Sequence, residues 1–227
     1  MKAEFKREMV DGRCYFNDGV KHVLVDTGYG SSISADGRIG QFAALKREEQ
    51  GIQCFNPTIM RNGRKIGAIM YPLDFNGVFL KKDTVEIDDA IQELPEHDWF
   101  IPFIGDLPVL KCKVDGRDKT AYFDSGMRLS VFDDDSLVEG KEMLRWQPEW
   151  IGVLHGLAEA PVYNAKFEFP CGLEVEREME HDYIHQYIKM IFARTAVNGY
   201  VGLETFKGYD IFISGIPGKR GLALVER

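Results

Sequence analysis

Val23-Leu24-Val25-Asp26-Thr27-Gly28 and, far downstream, Ala121-Tyr122-Phe123-Asp124-Ser125-Gly126 share one pattern. In each, an apolar run ends in an aspartate, followed by a hydroxyl residue and a glycine. A Ser-bearing apolar stretch comes next both times, Ser31-Ser32-Ile33-Ser34 and Leu129-Ser130-Val131-Phe132. Such a run reads as a buried strand, and the glycine permits the tight turn that leaves the carboxylate at the strand end. One motif alone is a strand closing in an Asx-type turn. Two in one chain imply two carboxylates that meet across a pseudo-two-fold axis. A pair so placed can share one proton and activate a water molecule.

The flanks repeat as well. Val10-Asp11-Gly12-Arg13 precedes the first motif and Val114-Asp115-Gly116-Arg117 the second, each after a strand-like stretch (Phe5 to Met9; Val109 to Lys113). Asp-Gly between extended segments is a strong hairpin signal. Each copy therefore reads strand, Asp-Gly turn, strand, Asp-Thr/Ser-Gly, which marks an internal duplication. The first copy carries extra residues between turn and motif, including Asn17-Asp18-Gly19.

Between the motifs, Ile39 to Gln50 has the spacing of a short amphipathic helix ending at Gly51. Asn62-Gly63 and Asn76-Gly77 punctuate β-rich runs at Ile66 to Leu73 and Val78 to Ile87. The acidic stretch Glu86 to Asp98, with Pro95, reads as a linker, which gives lobes at residues 1–95 and 96–227. In the second lobe, Val162 to Phe169, Leu173 to Glu178, Tyr209 to Ser214 and Leu222 to Val225 read as strands, and Tyr183 to Ala196 as a helix. The expected fold is mainly β, with two lobes related by pseudo-two-fold symmetry and a few short helices.

With 227 residues, 44% of them hydrophobic and 28% charged, the chain has the composition of a globular protein. That length allows two lobes of roughly a hundred residues, each with a core. A net charge of −8 disfavours nucleic acid and anionic membranes, which attract clustered Lys and Arg. No run is long enough to cross a bilayer, and the start Met1-Lys2-Ala3-Glu4-Phe5-Lys6 has no apolar leader core, so the default location is cytoplasmic. Cys14, Cys54, Cys112 and Cys171 are scattered without C-x-x-C spacing and read as free thiols.

No metal or cofactor is expected. His181-Asp182-Tyr183-Ile184-His185 lacks the Glu that follows the first His in zinc peptidases, and Asp133-Asp134-Asp135 lacks the alternation of a calcium loop. Gly28-Tyr29-Gly30 does not extend to a dinucleotide fingerprint, because Ile33 stands where the third glycine belongs. Phe100, Phe103, Trp146 and Trp150 read as core or cleft wall.

These residues resemble the aspartic peptidases, and the retropepsin-like branch in particular. The likeness lies in the two Asp-Thr/Ser-Gly strings and their Ser-containing sequels. It extends to Leu107-Pro108-Val109-Leu110, similar to the family's opening, and Tyr200-Val201-Gly202-Leu203, similar to its apolar-apolar-Gly element. In the first half the nearest counterparts of that element are Lys65-Ile66-Gly67 and Phe75-Asn76-Gly77. The family usually has Ala after the motif glycine, where this chain has Tyr29 and Met127.

The resemblance implies an aspartic endopeptidase with Asp26 and Asp124 as its catalytic dyad. Thr27 and Ser125 would tie the two loops together, and Gly28 and Gly126 would let the backbone pass close beneath the carboxylates. It further implies a peptide or protein substrate held in a cleft and a hairpin covering that cleft, for which Val162 to Glu178 is the candidate. Either a monomer or a homodimer is compatible; in the homodimer, Asp124 would pair with its own copy. Tyr29 and Met127 motivate a second reading, a non-catalytic peptide-binding protein of the same fold.

Overall fold

The computed structural model describes residues 2–10, 12–17, 22–30, 59–61, 64–71, 76–105, 107–151, 156–181 and 197–227. The expected helices at 39–50 and 183–196, and Cys54, lie outside them. What is described is mainly β, arranged as two curled sheets.

Up to residue 95 the strands are β1 (Lys2–Val10), β2 (Arg13–Asn17), β3 (His22–Gly30), β4 (Ile59–Arg61), β5 (Arg64–Tyr71), β6 (Gly77–Leu80) and β7 (Thr84–Asp88). Beyond it come β8 (Trp99–Pro102), β9 (Val109–Val114), β10 (Arg117–Asp124), β11 (Ser130–Phe132), β12 (Arg145–Ile151), β13 (Gly156–Glu168), β14 (Glu174–His181), β15 (Gly199–Gly202), β16 (Tyr209–Ser214) and β17 (Gly221–Glu226). The order of the ten-stranded sheet is β4-β5-β3-β2-β1-β7-β6-β16-β17-β8, and that of the seven-stranded sheet is β12-β13-β14-β11-β15-β10-β9. A further pairing of Phe167 with Val114 joins β13 to β9 and curls the second sheet back on itself. The larger sheet takes strands from both sides of residue 95. Of the stretch read as a linker, 86–88 belongs to β7 and 89–98 carries no regular element.

One topological unit occurs twice. Each aspartate-bearing strand lies antiparallel to the strand before it and parallel to a later one: β3 between β2 and β5, and β10 between β9 and β15. Parallel neighbours cannot be joined by a tight turn, so the later strand must return from a distance. The two copies differ in what precedes them. Asp115-Gly116 turns β9 directly into β10, whereas Gly12 lies in the turn between β1 and β2, and β2 then pairs antiparallel with β3. The matching Val-Asp-Gly-Arg strings are therefore not equivalent in space, because the extra residues of the first copy make an additional strand pair.

Both sheets contribute to one continuous core. It joins Cys14, Phe16, Val23 and Val25 to Phe123, Phe132, Phe167, Val201 and Phe206. Phe123 anchors the centre: it stacks on Phe103 at 6.3 Å between centroids and meets Phe206 at 5.9 Å. Each fully buried aromatic of this kind contributes about 1.5–3 kcal/mol. On β9 the alternation of buried Leu110, Cys112 and Val114 with exposed Lys111 and Lys113 fits a sheet with one solvated face.

Two expectations need correction. The hairpin from Val162 to Glu178 is wall rather than cover: Val162, Ala165, Phe167, Phe169, Leu173 and Val175 are all buried. β12 and the first part of β13 form a further antiparallel pair, and residues 152–155 between them lie outside the described residues. Trp146 on β12 is 57% exposed, which overturns the core alternative of its core-or-cleft-wall reading; the Trp150 side chain is not described. His181 ends strand β14, and its Nε2 faces Asp135 Oδ1 at 3.2 Å.

Candidate active site

Val25 and Phe123, the residues before the two aspartates, are fully buried; β10 ends at Asp124, whereas β3 runs on to Gly30 past an irregularity after Val25. Asp26 and Asp124 meet. Their side chains are joined by a hydrogen bond, and Asp124 is only 9% exposed. Burial raises the Asp124 carboxyl well above its ordinary range, and the charge of Asp26 and the hydrogen bond to it raise it further. The Gly126 N–H, donated to Asp124 Oδ1 at 2.8 Å, and the Arg13 charge pull the other way. Two carboxyls so close cannot both ionise, so the pair carries one proton over a wide pH range.

Thr27 and Ser125 interlock the two loops behind the carboxyls. Thr27 Oγ1 donates to the Phe123 carbonyl at 2.8 Å and accepts from the Ser125 N–H at 3.0 Å. Reciprocally, Ser125 Oγ donates to the Val25 carbonyl at 2.9 Å and accepts from the Thr27 N–H at 3.1 Å. Both side chains are fully buried. Four hydrogen bonds thus cross between segments distant in sequence, and every one uses a group of the two motifs.

Gly126 forms the floor. A Cβ there would fall 2.3 Å from Asp26 Cγ and 2.4 Å from Oδ1, a separation no side chain can accept. Gly126→Ala is therefore expected to push Asp26 away from Asp124 and to cost about 1–3 kcal/mol of stability. Urea denaturation reads the second effect, and a fall of the raised carboxyl titration towards the ordinary range reads the first. Gly28 lies within β3, and the packing around it is outside what the structure describes.

Behind the second loop, β15 places Gly202 opposite Asp124. A Cβ on Gly202 would lie 2.4 Å from the Leu129 carbonyl oxygen, so only glycine lets the strand pass there. Ser130 Oγ accepts the Gly202 N–H at 3.0 Å and shares a proton with Thr205 Oγ1 at 2.6 Å, and the Leu203 N–H reaches the Met127 carbonyl at 2.9 Å. In the first copy β5 is the parallel partner, but its Gly67 lies opposite Val23, three residues short of Asp26. Gly77 begins β6 in another part of the sheet. Neither is a counterpart of Gly202. Met127 packs against Val109, Tyr122 and Tyr200, where Asp124 adds to burial in raising the Tyr200 phenol. The side chain of Tyr29 is outside the description.

Sequence reasoning missed Arg13, a 6% exposed cation whose Nε donates to the Gly126 carbonyl at 2.8 Å. Its signal was present in the Asp-Gly-Arg string, but nothing local distinguishes it from Arg117, which is exposed. Elsewhere, an open depression of about 910 Å³ lined by Lys119, Asp133, Asp134, Asp135, Ser136, Val138, Glu139 and Asn198 includes neither carboxyl of the pair. Asp134 there is held well below the carboxylate range by hydrogen bonds from Lys119 and Ser136. Cys14 and Cys112 are buried free thiols, pushed up by burial to about 11 and about 12.

Among the described residues no helix is long and apolar enough to cross a membrane. No protein-family model matches the chain, and no curated protein matches it either.

Proposed function

We propose that this protein is an aspartic endopeptidase of the retropepsin-like type, a two-lobed single chain that carries both halves of its site. One observation carries the reading: Asp26 and Asp124, delivered by two strands of the same repeated topology, share a hydrogen bond within one chain. Asp26 thereby occupies the place that a second copy of Asp124 would take in a homodimeric site.

In this reading a water molecule lies between the carboxyls. The ionised member takes a proton from it while the oxygen attacks the peptide carbonyl, and the protonated member gives its proton to the carbonyl oxygen. The tetrahedral diol then collapses: the protonated carboxyl gives its proton to the amine nitrogen as the C–N bond breaks, and one diol hydroxyl gives its proton to the ionised carboxyl, so the pair again holds one. Neither a metal nor a cofactor enters these steps. The substrate would be an extended peptide bound by backbone hydrogen bonds, and β12–β13 is the hairpin proposed to cover it. A cytoplasmic location accompanies the reading.

The test is binding of a peptide that carries a hydroxyl-bearing tetrahedral centre in place of the scissile amide, against the same peptide lacking the hydroxyl. A proton-sharing pair binds the hydroxyl form at least about a hundredfold more tightly. The preference should vanish in Asp124→Asn. Equal affinity for both peptides in the wild type would favour the second reading, a peptide-binding protein without catalysis, which the unlike registers of β5 and β15 support.

A further inference from the structure

The string Asp-Gly-Arg occurs twice in this chain and meets two different fates. In the second copy the turn is peripheral: Gly116 has open space around it, Arg117 is exposed, and Asp115 is tied to Lys141 Nζ at 2.5 Å and to the Lys166 N–H at 3.0 Å. In the first copy the turn is driven into the opposite half of the molecule. A Cβ on Gly12 would fall 2.4 Å from Arg128 Cγ and 2.9 Å from Glu204 Oε1. Only a glycine, here at φ +73°, brings the turn that close.

The next residue, Arg13, is thereby buried beside the carboxyl pair. Its Nε holds the carbonyl of Gly126, whose own N–H holds Asp124. Gly126 is thus pinned at both ends, from the first half of the chain by Arg13 and from the second by Asp124. A buried cation is costly unless an opposite charge or a set of acceptors faces it. Titratable groups that face the pair include Arg13 from β2 and Tyr200 from β15. Arg128 and Glu204, 3.2 Å apart beside Gly12, largely neutralise one another.

We propose that Arg13 is a positioning residue of the carboxyl pair, fixing the Gly126 loop from the opposite half of the chain and keeping one negative charge on the pair. Its catalytic consequence rests on the peptidase reading; its effect on the pair does not. With Arg13 in place, the pair resists its second proton down to a lower pH, which extends the acid limb of activity. Without the charge, the second proton arrives at higher pH.

The experiment follows the aspartate carboxyl carbons by NMR through a pH titration of the full chain, labelled with carbon-13 in aspartate. Wild type, Arg13→Gln, Arg13→Lys and Arg117→Met are compared, with urea denaturation to verify folding. In Arg13→Gln the second protonation of the pair is expected to move up in pH, by more than in Arg13→Lys, which retains the charge. Arg117→Met should titrate as wild type, since Arg117 begins β10 and lies about 23 Å along the strand from Asp124. If hydrolysis is measurable, its acid limb shifts with the NMR titration. An unshifted pair in Arg13→Gln overturns the proposal, as does an equal shift in Arg117→Met. Loss of folding in both Arg13 variants also overturns it, because the residue would then be structural. Absence of hydrolysis in the wild type defeats the peptidase reading and leaves the titration able to judge Arg13.

Discussion

Peptide hydrolysis is expected to fall about a thousandfold or more in Asp26→Asn and equally in Asp124→Asn, with the fold intact. Each substitution removes one partner of a proton relay that needs both, so neither remaining carboxyl can serve as acid and base in turn. In Asp124→Asn the amide oxygen of the new side chain can still accept the Gly126 N–H, and the four bonds of Thr27 and Ser125 are untouched. Initial rates on a peptide library measure the loss. Full activity in either variant would remove the dyad from the reaction.

The same substitution has a second, pH-dependent effect. The Asp124 carboxyl is raised in the folded protein, first by burial and then by Asp26. A raised group contributes stability that is complete below its unfolded value and is lost as pH rises through its folded value. Wild type should therefore weaken across that interval, and Asp124→Asn, which has nothing to ionise there, should not. The variant gains on the wild type as pH rises from the ordinary carboxylate range. Denaturation midpoints at a series of pH values show whether the gap opens in that direction.

Thr27→Val should be the more damaging change to stability, at about 2–5 kcal/mol. Valine matches threonine in shape but leaves the Phe123 carbonyl and the Ser125 N–H buried without the hydroxyl that serves them. Thr27→Ser keeps the hydroxyl and should cost no more than about 1.5 kcal/mol, for one lost methyl. The other copy of the motif carries Ser at this place. Ser125→Ala should resemble Thr27→Val, since it strips Val25 and Thr27 of their partners. Combined, the two changes should cost less than their sum, because opening the junction from one side already weakens the other. Urea denaturation of the four variants tests this, and a Thr27→Val as stable as Thr27→Ser would contradict it.

Much of the arrangement is written in local chemistry. Apolar runs ending in Asp-Thr-Gly and Asp-Ser-Gly foretell two buried strands that carry a carboxylate, at the tip of β10 as expected but within β3, which continues to Gly30; Asp-Gly foretells the antiparallel pairs β1–β2 and β9–β10. What escaped depends on who faces whom. The Val162 to Glu178 hairpin reads as a candidate cover, yet it is buried, because β13 also meets β9 and β14 also meets β11. Period-two alternation does not announce a second neighbour. The paired Asp-Gly-Arg strings look interchangeable, but a few inserted residues set Arg13 one strand further back and under the opposite loop. Gly67 looks like a partner for Asp26 by spacing, while the strand register sets it against Val23.

The interlock of Thr27 with Ser125 has a consequence for the life of the polypeptide before it is finished. The partners in those four bonds stand 96 to 100 positions apart, and Gly202 must still arrive to back the second loop. Contacts of such separation form late, once long loops have closed. A chain emerging from the ribosome thus carries the first aspartate as a solitary, ordinary acid until its distant partners have followed it. Any hydrolytic capacity of the proposed pair stays latent until Asp124 and then Gly202 have followed, which spares the nascent chain and its neighbours from premature attack.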